Sequence, residues 1–254
     1  MDWYLYIAVI AAGFIAGFIN TLAGSGSLVT LPLLIFLGLP ANIANGTNRI
    51  AILLQNAVAV KSFHRQKLID FRHTLTLAIP AVLGALVGAQ IAVNLDEVIM
   101  RRTIGALMLV MLIVTLMHPQ RWLEQTKSIA TRPGWWQMVL FFGIGIYGGF
   151  IQAGVGIFLL AGLVLSIGYD VVHANGAKVV IVFCFTVIAL AVFVFNDQVN
   201  WTVGLVLAIG NMSGAWVAAR MAVKRGAVFV RWLLIVVLIL SAGYLLGAGD
   251  VIGL

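Results

Sequence analysis

Charge is the first thing this sequence lacks. Asp, Glu, Lys and Arg together make up 9% of its 254 residues, against 63% hydrophobic ones, and mean hydropathy is +1.12. That balance excludes a soluble domain. Cysteine is nearly absent: Cys184 stands alone in an apolar run, which rules out an intrachain disulfide and reads as helix packing. The histidines are scattered at His64, His73, His118 and His173 with no H-x-x-x-H spacing. A metal or nucleophilic constellation therefore lacks its parts, and no enzyme, metal or cofactor is expected. Acids are scarcest where they would matter most. The 8 of them, Asp2, Asp70, Asp96, Glu97, Glu124, Asp170, Asp197 and Asp250, all lie in or beside loops. A cation site, and usually a proton relay, would want one within the membrane.

What the chain does have is apolar runs. Crossing a hydrocarbon core of about 30 Å takes about 20 residues as helix. Such runs recur at 3–22, 43–62, 72–93, 98–117, 135–152, 172–195, 201–219 and 228–248, with shorter ones at 24–39 and 153–168. They lack the alternating pattern of a β-barrel. The expectation is an all-α polytopic membrane protein. Met1-Asp2-Trp3-Tyr4 opens into the first run without a positive segment, which reads as a membrane helix rather than a cleaved signal peptide. A net charge of +7 could suggest a nucleic-acid partner. Cationic cytoplasmic loops account for it better, so no nucleic acid is expected.

The two short runs are glycine-interrupted at their starts, Gly24-Ser25-Gly26-Ser27 and Ala153-Gly154-Val155-Gly156, and they occupy matching places in two halves. At a shift of 130 residues Gly24 and Gly26 fall on Gly154 and Gly156, Gly38 on Gly168, Ala44-Asn45-Gly46 on Ala174-Asn175-Gly176, Gly84-Ala85 on Gly214-Ala215, and Arg101 on Arg231. Upstream, Gly17-Phe18-Ile19-Asn20 matches Gly149-Phe150-Ile151-Gln152 at a shift of 132. This reads as an internal duplication: a first repeat at 1–117, a cytoplasmic linker at 118–134 and a second repeat at 135–254.

Charge gives the sense of the duplication. The loop 61–73 carries Lys61, Arg65, Lys67 and Arg72, whereas its counterpart 196–200 has no cation. Conversely, 220–231 carries Arg220, Lys224, Arg225 and Arg231 without an acid, while its counterpart 90–102 sets Asp96 and Glu97 beside Arg101 and Arg102. The bias swaps sides, as two inverted repeats of about five segments require. Both termini are then expected outside the cell membrane. The G-x-x-x-G pairs Gly13/Gly17, Gly84/Gly88, Gly145/Gly149 and Gly210/Gly214 suit close helix packing.

Two basic residues lie clearly within spans, Arg49 and Lys178. A charge at membrane depth costs at least about 2.5–3.5 kcal/mol on insertion scales, so it usually faces the bundle interior. The bland alternative is snorkelling to the headgroups from near a helix start. Against it, Asn45 lies at i−4 from Arg49 with Asn48 alongside, and Asn175 lies at i−3 from Lys178, on the same helix faces. The glycine-rich starts add free N–H groups at Gly24, Ser25, Gly26, Gly154 and Gly156, with Asn20 and Gln152 just before them. Thr47 adds a hydroxyl. This inventory of cations, amides, hydroxyls and N–H groups, without carboxylates, points to a small anion as substrate. Short or broken segments in matching halves are where a transporter holds its substrate. His173 reads either as a proton carrier or, more simply, as an interfacial histidine.

These residues resemble the sulfite exporter TauE/SafE family of membrane permeases. The resemblance rests on 17–28, Thr30-Leu31-Pro32, Leu37-Gly38-Leu39-Pro40 and Ala44–Arg49. In the second half it rests on 147–156 and Ala174–Lys178. It implies a permease, often an exporter, for sulfur-containing or organic anions. Family members commonly carry a glycine triplet in the first turn, which Ser25 and Ser27 interrupt here. The partners expected are a small anion and membrane lipid, with a homodimer as an admissible assembly. A membrane-embedded structural or accessory subunit is the alternative reading.

Overall fold

The computed structural model describes residues 3–116 and 133–220, together with Ile239. The linker 118–134 (but for its last two residues), the span 228–248 (but for Ile239) and Arg231 lie outside the described residues. Within them the chain is helical throughout: α1 (Trp3–Ala23), α2 (Ser27–Phe36), α3 (Ala41–Arg65), α4 (Phe71–Val93), α5 (Glu97–Leu116), α6 (Trp135–Phe150), α7 (Val155–Ala161) running into a π-helical stretch (Gly162–Ile167), α8 (Val171–Phe195) and α9 (Trp201–Arg220). The expected spans and these helices agree to within three residues at nearly every end.

Punctuation explains the ends. Pro40 precedes α3 and Asp70 caps α4, its carboxylate accepting from the His73 amide at 3.2 Å. Asp170 caps α8 through the amides of Val172 and His173, and Asn200 caps α9 through Val203. Side-chain oxygens at these positions satisfy amides that a helix start leaves free. Backbone of positive φ recurs at the offset of 130 found in the sequence: Gly24 and Gly154, Gly38 and Gly168, and even the non-glycine pair Lys67 and Asp197.

Helices α1, α4, α8 and α9 are long and apolar enough to cross a membrane. Helix α3 matches them in length but is more polar, and it buries its polar residues: Asn45, Thr47, Asn48, Arg49, Gln55 and Asn56 are all within the protein. The large apolar side chains Ile79, Leu83 and Ile91 on α4, and Leu205, Ile209 and Trp216 on α9, face outward instead. Polar inside and apolar outside is the arrangement a bilayer selects.

Packing exchanges elements between the halves. Helix α1 lies along α9, and α6 lies along α4. In each pair two G-x-x-x-G ridges meet. A methyl group built on Gly84 would stand 2.1 Å from the Phe142 carbonyl, and one on Gly149 would stand 2.1 Å from that of Ala85. Gly17 meets the Asn211 carbonyl and Gly214 that of Phe14 in the same way. The residue numbers rise together, so both pairs run parallel. Helices α3 and α8 run oppositely. Gly46, near the start of α3, touches the Gln198 carbonyl beyond the end of α8, and Gly176, near the start of α8, touches the Leu68 carbonyl beyond the end of α3.

Candidate functional site

The two broken segments meet backbone to backbone. Chain leaving α1 turns at Gly24, and the Gly156 amide of α7 donates to the Gly24 carbonyl at 3.1 Å. A methyl group on either glycine would lie within 2.4 Å of the other's Cα. Nothing larger than glycine fits here, and Gly24 also holds a φ of +74° that other residues rarely adopt. The Asn20 side chain steadies the first turn by accepting from the Gly26 amide at 3.3 Å.

Arg49 is fully buried, at 0% exposure. Its guanidinium reaches across to the end of α6, where the last carbonyls of a helix have no partner of their own. Nη1 donates to Gly148 O at 3.2 Å and Gln152 Oε1 at 3.4 Å, and Nη2 to Gly149 O at 2.5 Å and Phe150 O at 3.3 Å. Asn45 adds its own amide to Phe150 O at 2.8 Å. The Phe193 ring lies under the guanidinium, 4.5 Å from Cζ. A cation at a helix C-terminus is also favoured by the helix dipole.

Lys178 does the same for α1. Its Nζ donates to Thr21 O at 3.2 Å and Asn20 O at 3.4 Å, and to Asn175 Oδ1 at 2.7 Å. Each buried cation thus caps the first helix of the opposite half. The two are not sequence-equivalent, however. At the offset of 130, Lys178 falls on Asn48 and Arg49 falls on Val179. Asn48 instead accepts from the Thr30 hydroxyl at 2.6 Å.

Beside Lys178 is a small cavity of about 10 Å³, room for roughly one water. Of the residues expected at a site, Asn20, Gly24, Gln152, Gly156 and Lys178 line it. Arg49, Asn45, Asn48, Ser25, Gly26, Thr47, Gly154 and Asn175 do not. Asn175 supports Lys178 from behind, and Thr47 holds the α8–α9 loop by accepting from the Asn200 amide at 2.8 Å. The Ser25 hydroxyl is buried without a hydrogen-bond partner among the described residues. Gly154 supplies the left-handed turn that opens α7.

Among the described residues five more line the cavity, Ser27, Ile52, Asn56, Val155 and Val182, and Gln152 is oriented by the Thr186 hydroxyl at 2.8 Å. A signal for most of them lay in the sequence. Asn45, Asn48, Ile52 and Asn56 form one stripe on α3, and at the offset of 130 they become Asn175, Lys178, Val182 and Thr186 on α8. Among the described residues no carboxylate lines the cavity.

A lipid-facing shell of apolar helices around buried cations and amides defines a polytopic membrane transporter. The chain belongs to the sulfite exporter TauE/SafE family, whose model matches residues 9–245. It is 30% identical over 242 residues to the probable membrane transporter protein ORF9 of a Sinorhizobium species, covering 95% of this chain and 92% of that one. A probable membrane transporter protein of Haemophilus influenzae is 27% identical, with 91% of each chain covered. The probable membrane transporter protein YfcA of Escherichia coli is 24% identical, with 88% of this chain and 82% of YfcA covered. No solved structure matches the chain.

Proposed function

We propose that this transporter exports a small organic or sulfur-containing anion, such as sulfite or a sulfonate, across the cell membrane. The observation that carries this reading is the setting of Lys178: a buried ammonium at a cavity lined by the amide side chains of Asn20, Asn56 and Gln152, by Ser27, by two glycines and by the apolar Ile52, Val155 and Val182, with no carboxylate lining it among the described residues. An oxyanion suits such a donor set, because charge-assisted hydrogen bonds to it are strong in a site shut off from water. The family's name agrees, while the relatives' names specify no substrate.

The mechanism proposed is alternating access by two inverted halves. The opposed run of α3 and α8, and the exchange by which α1 lies on α9 and α6 on α4, support it. So does charge. The ends of α3 and α9, with the loop into α4, carry Lys61, Arg65, Lys67, Arg72 and Arg220 against Asp70, which favours the cytoplasm for that face and the outside for the start of α1. The cavity holds only about one water, so the arrangement described is a closed one. As the halves part, the substrate takes over Lys178 from the Thr21 and Asn20 carbonyls, and Arg49 can let go of α6 in its turn. An interior-negative potential drives a monovalent anion outward by about 2.3 kcal/mol per 100 mV, so no coupling ion is required.

A melting screen of the purified protein tests the reading. A ligand at 100 times its Kd adds about 2.7 kcal/mol of stability. Sulfite, thiosulfate, sulfonates and carboxylates should include at least one that raises Tm, whereas sodium, potassium and ammonium chloride should not differ from one another. A shift produced by cations alone would overturn it.

A further inference from the structure

A second cavity lies away from the central site, between the last turns of α3 and α9, with a volume of about 510 Å³. Helix α3 contributes Val58, Lys61, Ser62 and Arg65, its cap residue Gln66 adds to them, and α9 contributes Trp216 and Arg220. Among the described residues three cations line it and no acid does. The guanidinium of Arg220 is stacked 3.8 Å from the centre of the Trp216 ring, and Gln66 ties the two helix ends together through the Ala219 carbonyl at 3.0 Å. Like charges lining one cavity repel unless an anion joins them.

The order of residues along the cleft identifies that anion. On α3 the apolar Val58 comes before Lys61 and Arg65; on α9 the half-exposed Trp216 comes before Arg220. Both helices run parallel toward the same face, so the cleft is apolar toward the membrane interior and cationic at the rim. At 1.5 Å per residue the change takes about 5–10 Å. A free oxyanion needs only the rim. An amphiphile with an acyl chain below and a phosphate above matches both parts. We propose that this cleft binds an anionic phospholipid of the phosphatidylglycerol type, its phosphate among Lys61, Arg65 and Arg220 and its upper chain against Val58 and Trp216.

The test uses the full chain, purified in detergent and stripped of lipid. Phosphatidylglycerol should raise Tm, while phosphatidylcholine of the same chains and inorganic phosphate should not. Each of Lys61→Gln, Arg65→Gln and Arg220→Gln should raise the half-effective lipid concentration about fivefold, the equivalent of about 1 kcal/mol per cation. Native mass spectra of the wild type should show a retained phosphatidylglycerol that falls in each single variant, a readout independent of any change in melting. Equal response to phosphatidylcholine, a shift with inorganic phosphate alone, or variants indistinguishable from wild type would each overturn the proposal. None of these outcomes touches the anion site at Lys178.

Discussion

Gly24 and Gly156 touch through their main chains, the amide of one donating to the carbonyl of the other at 3.1 Å. One belongs to the turn after α1 and the other to the start of α7, so the contact joins the broken segments of the two halves. Lys178 and Gln152 stand on the same cavity wall. Whatever parts the halves must strain or break this contact.

Substitution there should therefore act on both stability and movement. Gly24→Ala puts a methyl group 2.4 Å from the Gly156 Cα, in a left-handed backbone that costs a non-glycine residue about 1–2 kcal/mol. Together with overpacking, a loss of about 2–4 kcal/mol is expected in Gly24→Ala, and somewhat less in Gly156→Ala, which meets the same close contact from the other side. Thermal unfolding of the purified variants measures it. Unchanged Tm in both would mean that the segments do not meet in the membrane.

The G-x-x-x-G seams give a second prediction. Gly88→Val would force side-chain atoms into the Ile146 carbonyl, 1.9 Å from the new Cβ, and should cost about 1–3 kcal/mol or more as α4 separates from α6. Gly143, on the same α6, has nothing among the described residues within 4 Å of such an atom. Gly143→Ala should be neutral or stabilising by about 0.5–1 kcal/mol through helix propensity. The pair separates crowding at a seam from a general intolerance of change in these helices.

Much of this was legible in the sequence because a bilayer imposes simple rules. Apolar length fixed the helices, and Pro40, Asp70, Asp170 and Asn200 mark their ends. The offset of 130 marked the turns at Gly24 and Gly154 before any backbone angle was known. The partners of the two cations were not legible. Arg49 and Lys178 read as donors to a ligand, yet each rests on main-chain carbonyls of the other half, and carbonyls carry no residue identity to betray them. The mismatch of Arg49 with Val179 stands in the sequence at the offset of 130, but where it leads does not: one residue further along α3 turns the side chain about 100°, and the guanidinium meets the end of α6.

Asp170 makes a pH prediction. Partial burial raises its carboxyl, but hydrogen bonds from the His173 amide and ring and from the Val172 amide outweigh that and hold it below the ordinary carboxylate value. A group depressed on folding adds stability above its unfolded pKa and loses it as pH falls through the folded one. Tm should therefore drop as pH is lowered below about 4, the unperturbed range of Asp. Asp170→Ala should lose part of that dependence, and about 1 kcal/mol at neutral pH for the missing cap. An identical pH profile in the variant would assign the acid sensitivity to other groups.

The last prediction separates capping from transport. Arg49→Ala leaves the Gly148, Gly149 and Phe150 carbonyls without their cation, and Lys178→Ala does the same to Asn20 and Thr21. Unpaired buried acceptors cost about 1–3 kcal/mol, so both variants should fold but melt lower. Were the cations helix caps alone, flux of an anion that shifts the wild-type Tm would survive in proteoliposomes at temperatures well below that melting point. Under the proposed mechanism it is abolished in both. Arg49→Lys sharpens the contrast: it keeps the charge but gives up the planar fork that spans Gly148, Gly149 and Phe150. It should recover flux in part while recovering little of the lost stability. Flux retained in Arg49→Ala below its melting point would assign Arg49 to the fold and leave Lys178 as the sole cation at the site.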